Sequence, residues 1–343
     1  MSSTSCYDDS PTELSEAGSI NQQMEDDEDD DNTIVITQTK IVARRYEIWH
    51  EKFLCYKEIL DYLMKMGQMY KHKMSIERLG YSKEEKPICL VKIHSEKSRR
   101  YSMSVMIEAG SNGKEKMTVS SALYLVEYLV KNNNKLLVEY LIIPCLNPDG
   151  YDKCMNSKKI TKKEEDEIDL SRSFPKCKNT EYMNISELLA APPETSQNCL
   201  ILMKVIEKYK TSVKLFISLQ ASESSITYPL DFYFKDVFDF AVACKKAMGW
   251  NTLDLKPIVP IPPEKNGTAV EHVIKNYHDN IKFAYILNVH NKCFVPEEKF
   301  IMAKGEQTSS GILTLSKRVY RYYFRQRTRY NVKTVVKLLD TTE

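Results

Sequence analysis

The chain has 343 residues, 42% of them hydrophobic, so it is long and apolar enough to bury a large core. Its formal net charge of +2 excludes an overall electrostatic attraction to nucleic acid or to an anionic membrane. The nine cysteines form no Cys-x-x-Cys pair, which favours free thiols over a disulfide framework.

The N-terminal residues predict neither a targeting signal nor an ordered domain. MSSTSCYDDSPTELSEAGS lacks the basic start and the apolar core of a signal peptide. The run EDDEDDD, from Glu25 to Asp31, makes residues 1–40 too polar to fold, so we predict a disordered acidic tail there. No apolar stretch approaches the ~20 residues that cross a bilayer. Together with the free thiols, this predicts a cytoplasmic protein with no membrane partner.

In the next part of the chain, apolar residues first recur at helical spacing and then form short continuous runs. The spacing predicts a helix from Arg44 to Tyr70 and another over residues 118–131. The runs PICLVKI, SMSVMIEA and LVEYLIIPCL predict three strands over 87–93, 102–109 and 137–146. NPDGY, after the third strand, indicates a turn.

The second half repeats this alternation after a charged loop over 152–167. Helices are predicted over 195–210, 234–248 and 297–323, and strands over 213–219 and 281–289. Strands that alternate with helices predict an α/β fold, with a mixed, largely parallel central sheet flanked by helices. We predict one domain over 41–325 and a basic C-terminal tail over 326–343.

The segment from Arg318 to Tyr330 interleaves arginine with tyrosine and phenylalanine. Such a segment can stack on single-stranded RNA and neutralise it. We favour a continuation of the last helix, with its aromatic side chains packed on the domain and its arginines in solvent. We therefore predict no nucleic-acid partner.

Four short stretches are similar to one known family. They are AGSNGKE (109–115), IPCLNPDGYD (143–152), DLSRSF (169–174) and FISLQASESSITYP (216–229). In this order they resemble the zinc carboxypeptidases, the exopeptidases of carboxypeptidase A and B type. The similarity covers roughly residues 45 to 320 and implies the α/β/α sandwich of that family.

The resemblance implies a catalytic centre whose residues are mostly replaced. The two zinc-binding histidines of the family fall on Asn112 and Gln220, and the glutamate ligand is kept as Glu115. The general-base glutamate falls on Asn288. Zinc requires lone pairs from imidazole, thiolate or carboxylate, and neutral amides are poor substitutes. Asn288 cannot accept a proton, so a bound water would have no base. We therefore predict no zinc cofactor and no catalytic residue.

The substrate-binding positions are better kept. The arginine that binds the substrate's terminal carboxylate falls on Arg172, while its asparagine neighbour becomes Ser171. Val270 falls near the position that sets the polarity of the end-group pocket, which implies an apolar end group. A peptide or protein C-terminus is therefore the expected partner. Arg172 is equally well explained as a structural residue that satisfies carbonyl groups or pairs with Glu115.

Three functional hypotheses follow. The first is a catalytically inactive carboxypeptidase homologue that binds C-termini. The second is an active metallocarboxypeptidase with relocated ligands, for which His290 and His272 are the candidates. The third is a scaffold that finds partners through its charged termini. Glu115 has a simpler explanation too, as a carboxylate that pairs with Lys114 or Lys116 at a helix N-terminus.

Overall fold

The computed structural model describes residues 51–95, 103–156, 168–174, 196–221, 225–229, 234–249, 254–258, 267–289 and 297–340. The side chains of residue 234 and of residues 326–340 are not part of this description. The predicted acidic tail, 1–40, lies outside the described residues, as does His290. Within the described part, no helix combines the length and the apolar composition that a bilayer crossing requires.

Eight described strands form one mixed sheet, in the order β1-β2-β4-β3-β5-β8-β6-β7. The strands are β1 (Met74–Tyr81), β2 (Pro87–Ile93), β3 (Ser104–Glu108), β4 (Glu139–Ile143), β5 (Val213–Gln220), β6 (Ser225–Tyr228), β7 (Asp254–Pro257) and β8 (Phe283–Asn288). Parallel pairs join β4, β3, β5 and β8 at the centre, and also β6 to β7. The other pairs are antiparallel.

Seven α-helices in the described part of the chain connect and cover these strands. They are α1 (Tyr56–Met69), α2 (Lys116–Lys131), α3 (Pro148–Asn156), α4 (Gln197–Tyr209), α5 (Phe234–Met248), α6 (Ala269–Tyr277) and α7 (Ile301–Asp340). One buried cluster joins the sheet to α1, α2, α5 and α7, and a second joins its other face to α4 and α6. The predicted α/β class, a central sheet between layers of helices, is confirmed.

The central strands are buried on both faces, which explains why they are continuous apolar runs. All five residues of β3 and all six of β8 are buried. In this register Glu108 is opposite Ser218, and Gln220 is opposite Asn288. The carboxyl ends of β3, β5 and β8 therefore meet at one edge of the sheet, where ligands of α/β proteins bind.

Several predicted boundaries are wrong. The first described helix begins at Tyr56, because the Glu58 side chain accepts a hydrogen bond from the Cys55 N–H at 2.9 Å and so caps the helix there. Residues 44–50 of the predicted helix lie outside the described residues. NPDGY belongs to α3 and is not a simple turn. Asn147 Oδ1 accepts from the Gly150 N–H at 3.1 Å, as an N-cap residue does, and proline suits the first helical position. The last helix runs beyond residue 323 to Asp340.

Candidate functional site

The loop after β3 is held tightly against the start of α3. Gly110 has φ of +66°, and a Cβ there would lie 3.0 Å from Cys145 Cα. A Cβ on Gly113 would come within 2.3 Å of the Gly150 carbonyl group. The loop can follow this path only with glycine at these positions, so Asn112 and Glu115 are presented on a well-defined backbone.

The segment 168–174, which contains the DLSRSF motif, lies directly beside this loop. Asn112 and Asp169 form an antiparallel bridge. The Gly113 N–H donates to the Ile168 carbonyl at 2.9 Å, and the Leu170 N–H donates to the Ser111 carbonyl at 2.9 Å. The structure thus brings the first and third motifs together, as the resemblance implies.

Glu115 connects the loop to the end of β5. Its Oε2 accepts a hydrogen bond from the Ala221 N–H at 2.8 Å. Burial raises the pKa of this half-buried carboxyl to about 8, and the charges of Asp169 and Glu108 act in the same direction. The Ala221 amide therefore binds Glu115 within the site. This contact differs from the simple pairing with Lys114 or Lys116 that the sequence also allows.

Gln220 and Asn288 end two adjacent strands, and their side chains serve as donors within the protein. Gln220 Nε2 lies 3.3 Å from Ser218 Oγ. The buried Asn288 Nδ2 donates to the carbonyl of Ser225 at 3.0 Å and to its hydroxyl at 3.1 Å. These two amides thus tie β5 and β8 to neighbouring hydroxyl and carbonyl groups.

Glu108 is a further residue of the site, and the sequence analysis missed it. It is 1% exposed at the end of β3 and accepts hydrogen bonds from the hydroxyls of Ser111 and Ser218. Burial raises the pKa of Glu108 to about 7, although the two hydroxyl groups act to lower it. The available signal was one carboxylate at the end of the otherwise apolar run MSVMIE.

Arg172 and Ser171 lie on the segment beside the loop, and Val270 lies deeper. Arg172 is exposed and Ser171 is half-buried, with the Ser171 N–H donating to Asp169 Oδ1 at 3.0 Å. Val270 is fully buried in α6, in the same apolar cluster as Phe174. Arg172 is therefore available to a ligand, whereas Val270 contributes to the packing beneath it.

His272 is enclosed by aromatic rings. It is 3% exposed, and its ring centroid lies 6.1 Å from that of Phe174 and 6.0 Å from that of Tyr277. Its Nδ1 lies 3.2 Å from Asn276 Nδ2, and burial lowers its pKa to about 4. These surroundings hold the imidazole neutral in the core.

Comparison with known proteins agrees with this geometry. The family model described as zinc carboxypeptidase matches residues 59–328. The chain belongs to the zinc carboxypeptidase family. The recognition made from the four motifs is thereby confirmed.

Solved structures of carboxypeptidases share the fold at low sequence identity. Carboxypeptidase A from Helicoverpa armigera matches with TM-score 0.64 and 18% identity, over 79% of this chain and 74% of that one. Bovine thrombin-activatable fibrinolysis inhibitor, in complex with tick carboxypeptidase inhibitor, matches with TM-score 0.64 and 17% identity, over 80% and 99%. A metallo-carboxypeptidase from Burkholderia cenocepacia matches with TM-score 0.55 and 15% identity, over 78% and 70%.

The residues at the family's zinc positions do not fit zinc. Only Glu115 offers a carboxylate, whereas Asn112 Oδ1 already accepts the Lys114 N–H at 3.0 Å and Gln220 Nε2 is directed to Ser218 Oγ. Among the described residues, no three His, Cys, Asp or Glu side chains are placed to hold a metal ion. The three zinc positions thus hold one carboxylate and two amides, which is a poor set for a borderline-soft cation.

Proposed function

We propose that this chain is a catalytically inactive zinc carboxypeptidase homologue that binds peptide or protein C-termini. The observation that carries the proposal is the position of Asn288, buried at the end of β8 with its Nδ2 donated to Ser225. A general base must accept a proton from the attacking water, and an amide has no such capacity at neutral pH.

Binding of a C-terminus can be retained when catalysis is lost, because the two use different residues. Arg172 is exposed on a segment whose backbone is hydrogen-bonded to the 109–115 loop, which supports a role for it beside that loop. A guanidinium makes a bidentate, charge-assisted match to a carboxylate. A terminal carboxylate bound there needs no metal ion. The proposal of an apolar end group rests on the family position of Val270, which is fully buried here.

The binding test compares two forms of one hydrophobic-ended peptide, the free acid and the C-terminal amide. We expect the free acid to bind more tightly. The Arg172→Ala variant should lose that preference, at a cost of about 1–3 kcal/mol, or roughly 5-fold to 150-fold in Kd. The exposure of Arg172 keeps this cost below that of a fully buried ion pair.

A matched control is Arg78→Ala, which removes an arginine from β1, at the opposite end of the sheet from β6 and β7. It should leave both affinities unchanged. The proposal is contradicted if acid and amide bind equally, or if the Arg172→Ala variant behaves like the wild type. Either result would show that the cleft does not recognise C-termini. The scaffold hypothesis would then replace the proposal.

Metal content separates the inactive homologue from an active peptidase with relocated ligands. Protein purified without chelator should contain no stoichiometric zinc and should not hydrolyse peptide substrates. One tightly bound zinc per chain, with peptidase activity that disappears on chelation, would contradict the proposal and favour relocated ligands. The candidate for such relocation, His290, lies outside the described residues.

We also propose a reducing, cytoplasmic compartment for the protein. The six described cysteines are all free: Cys55, Cys89, Cys145, Cys154, Cys199 and Cys244. Burial raises the pKa of the thiols of Cys145 and Cys199, so these are packing residues and not reactive nucleophiles. Thiol titration of native protein from the producing cells would contradict this if most cysteines were oxidised.

A further inference from the structure

The C-terminal part of α7 carries an uncompensated positive charge. No aspartate or glutamate occurs between Glu306 and Asp340. Over the same stretch, eight basic residues occur: Lys317, Arg318, Arg321, Arg325, Arg327, Arg329, Lys333 and Lys337. We call these eight residues the basic stripe, although they cover more than one line along the helix.

The spacing of the basic stripe brings its charges close together in successive turns. Arg321, Arg325, Arg329, Lys333 and Lys337 follow each other at intervals of four, so each is a neighbour of the next and the row winds around the helix. Like charges at this spacing destabilise an isolated helix. A counter-charge along this row would therefore stabilise the helix.

The described residues provide no such counter-charge. Lys317, Arg318, Arg321 and Arg325 are all exposed. The described salt bridges involve other cations, and no described acidic side chain lies within ion-pair distance of these four. The exception to their isolation is Arg318, whose guanidinium lies 5.8 Å from the ring centre of Phe240.

The same chain contains a complementary segment. Glu25 to Asp31 is a run of seven consecutive acidic residues. It contains nearly as many charges as the basic stripe, of opposite sign, and it too has no counter-charge in its own sequence neighbourhood.

The described chain begins in a position from which this segment reaches the stripe. The Phe53 N–H donates to Glu298 Oε1 at 3.0 Å, three residues before α7 starts at Ile301. At 1.5 Å per residue, the stripe lies ~25 to ~55 Å along the helix from that point. The chain from Asp31 to Phe53 spans up to ~70 Å when extended. The acidic run can therefore lie along the stripe.

We propose that the acidic run Glu25–Asp31 binds the basic stripe of α7 within the same chain. An ionic contact of this kind needs no folded conformation of the acidic run. The tether raises the effective concentration of the acidic run at the stripe to the millimolar range. It therefore occupies the stripe ahead of anionic partners in solution.

A carbodiimide that joins carboxylates to amines without a spacer tests the contact in the full-length chain. The acidic run should be joined to Lys317, Lys333 or Lys337, and the products are identified by mass spectrometry of tryptic peptides. The tryptic peptide that contains the run ends at Lys40, the first basic residue of the chain. Linked yield should fall strongly in 1 M salt, where the screening length is ~3 Å.

The decisive variant replaces Arg318, Arg321, Arg325 and Arg329 with glutamine and keeps all three lysine acceptors. Its linked yield should fall ~fivefold or more, since each close charge pair contributes only a modest factor at this ionic strength. The matched control replaces four exposed lysines elsewhere with glutamine: Lys57, Lys71, Lys135 and Lys246. It changes the net charge equally and should leave the yield within ~twofold of the wild type.

In the carbodiimide experiment, two outcomes would contradict the proposal. The first is an unchanged yield in the four-arginine variant or in 1 M salt. The second is linkage between chains in an equal mixture of ¹⁴N and ¹⁵N protein, which would make a second copy the partner of the stripe.

An independent measurement uses a full-length variant in which all seven acidic residues of the run become asparagine or glutamine. If the run covers the stripe, this variant should bind a 20-nucleotide oligouridine or phosphatidylserine vesicles more tightly than the wild type does. Equal binding by both proteins would show that the stripe is open to outside partners and would contradict the proposal.

Discussion

Two regions of the domain bury carboxylates side by side, but they neutralise them in different ways. At the start of α3, Asp149 and Asp152 surround the ammonium group of Lys86, whose Nζ lies 3.8 Å from Asp149 Oδ1 and 2.9 Å from Asp152 Oδ2. Ser82 Oγ donates to Asp149 Oδ1 at 2.7 Å, and the Tyr56 N–H donates to Asp152 Oδ1 at 3.1 Å. Two acids here share a cation and several hydrogen bonds.

At the edge of the sheet, Glu108 and Glu115 have no such cation among the described residues. Their described partners are the two serine hydroxyls and the Ala221 amide. Burial therefore raises their pKa values to about 7 and about 8. At the start of α3 the balance is reversed. Burial would lower the pKa of Lys86, but its contacts with Asp152 and Glu84 raise it.

The comparison shows what a buried acid needs in this fold. Where the chain supplies a lysine, the carboxylates are arranged as an ion cluster that joins β1, α1 and α3. Where it does not, burial favours the protonated form of the carboxyl groups. The resemblance implies zinc beside Glu115, and here amides stand at the other two ligand positions, Asn112 and Gln220. The following predictions change one of these two regions, except the last, which leaves both intact.

Replacing Lys86 should produce the largest loss of stability. Lys86→Ala leaves Asp149 and Asp152 buried without their cation, and removing one partner of a buried pair costs about 3–5 kcal/mol. Urea denaturation at pH 7 measures the loss. The matched change is Lys299→Ala, which breaks an exposed pair with Glu297 and should cost at most about 0.5 kcal/mol. Similar losses in both variants would mean that the buried cluster contributes no more than a surface pair.

Glu108→Gln should remove part of the pH dependence of stability. The folded pKa of Glu108, about 7, is above the ordinary glutamate value of 4.5, so protonation stabilises the folded state. This contribution is complete below pH ~4.5 and is lost as the pH rises through ~7, by up to ~3 kcal/mol in total. The free energy of unfolding at pH 5, 6, 7 and 8 measures it.

The difference between wild type and Glu108→Gln isolates this group from the other acids. It should favour the variant increasingly from pH 5 to pH 8, since glutamine cannot ionise. A constant difference across this range would contradict the raised pKa. Glu58→Gln is a suitable control, because Lys52 and Cys55 lower the pKa of Glu58 against the effect of its burial. For that variant the difference should favour the wild type by a constant amount from pH 5 to pH 8, since a group with a lowered pKa titrates below this range.

The sequence predicted the central strands and the family because both depend on local patterns. β2, β3, β5 and β8 are apolar runs, and NPDGY and DLSRSF keep the family's order. The strands β1, β6 and β7 were missed. β1 has an irregular burial pattern at the edge, and β6 and β7 have only four residues each, so cross-strand pairing defines them more than composition does.

The site was predicted less completely for a similar reason. Asn112, Glu115, Gln220 and Asn288 were found from their spacing to neighbouring motifs. Glu108 has no motif of its own, and its role arises because β5 places Ser218 opposite it. The register of parallel strands that lie 110 residues apart in sequence is a property of the fold and is not visible in either strand alone.

Adding a metal-binding set should make the sheet-edge region resemble the one at the start of α3, with a cation beside its carboxylates. Asn112→His with Gln220→His places two imidazoles beside Glu115, and we expect zinc affinity to rise about 100-fold or more, equivalent to about 2.7 kcal/mol. Calorimetry with zinc measures this. The single variant Asn112→His serves as the control and should gain much less, since one ligand of three is then still an amide.

Turnover should require a further change. The double variant still has Asn288 in place of the base, so it should bind zinc without hydrolysing peptides. Activity is expected only when Asn288→Glu is added. If the double variant binds no more zinc than the wild type, Glu115 is not positioned as a ligand. If it hydrolyses peptides, Asn288 is not at the position of the base.

The smallest effect is expected from removing the first 40 residues. Both carboxylate regions lie within the family match, 59–328, and all the partners described for them lie in the same range, apart from Tyr56. A chain that starts at Ile41 should therefore keep both regions intact.

The contact proposed between the acidic run and α7 involves exposed charges, which contribute about 0–1 kcal/mol per pair and little to the unfolding of the core. The melting temperature should match that of the full chain, whereas a fall of more than ~5 °C would reveal lost packing. Such a fall would mean that residues 1–40 stabilise one of the two regions directly. Lys86→Ala in the shortened chain would identify which one. If the Lys86 region is affected, the two changes are coupled and their effects on stability are not additive.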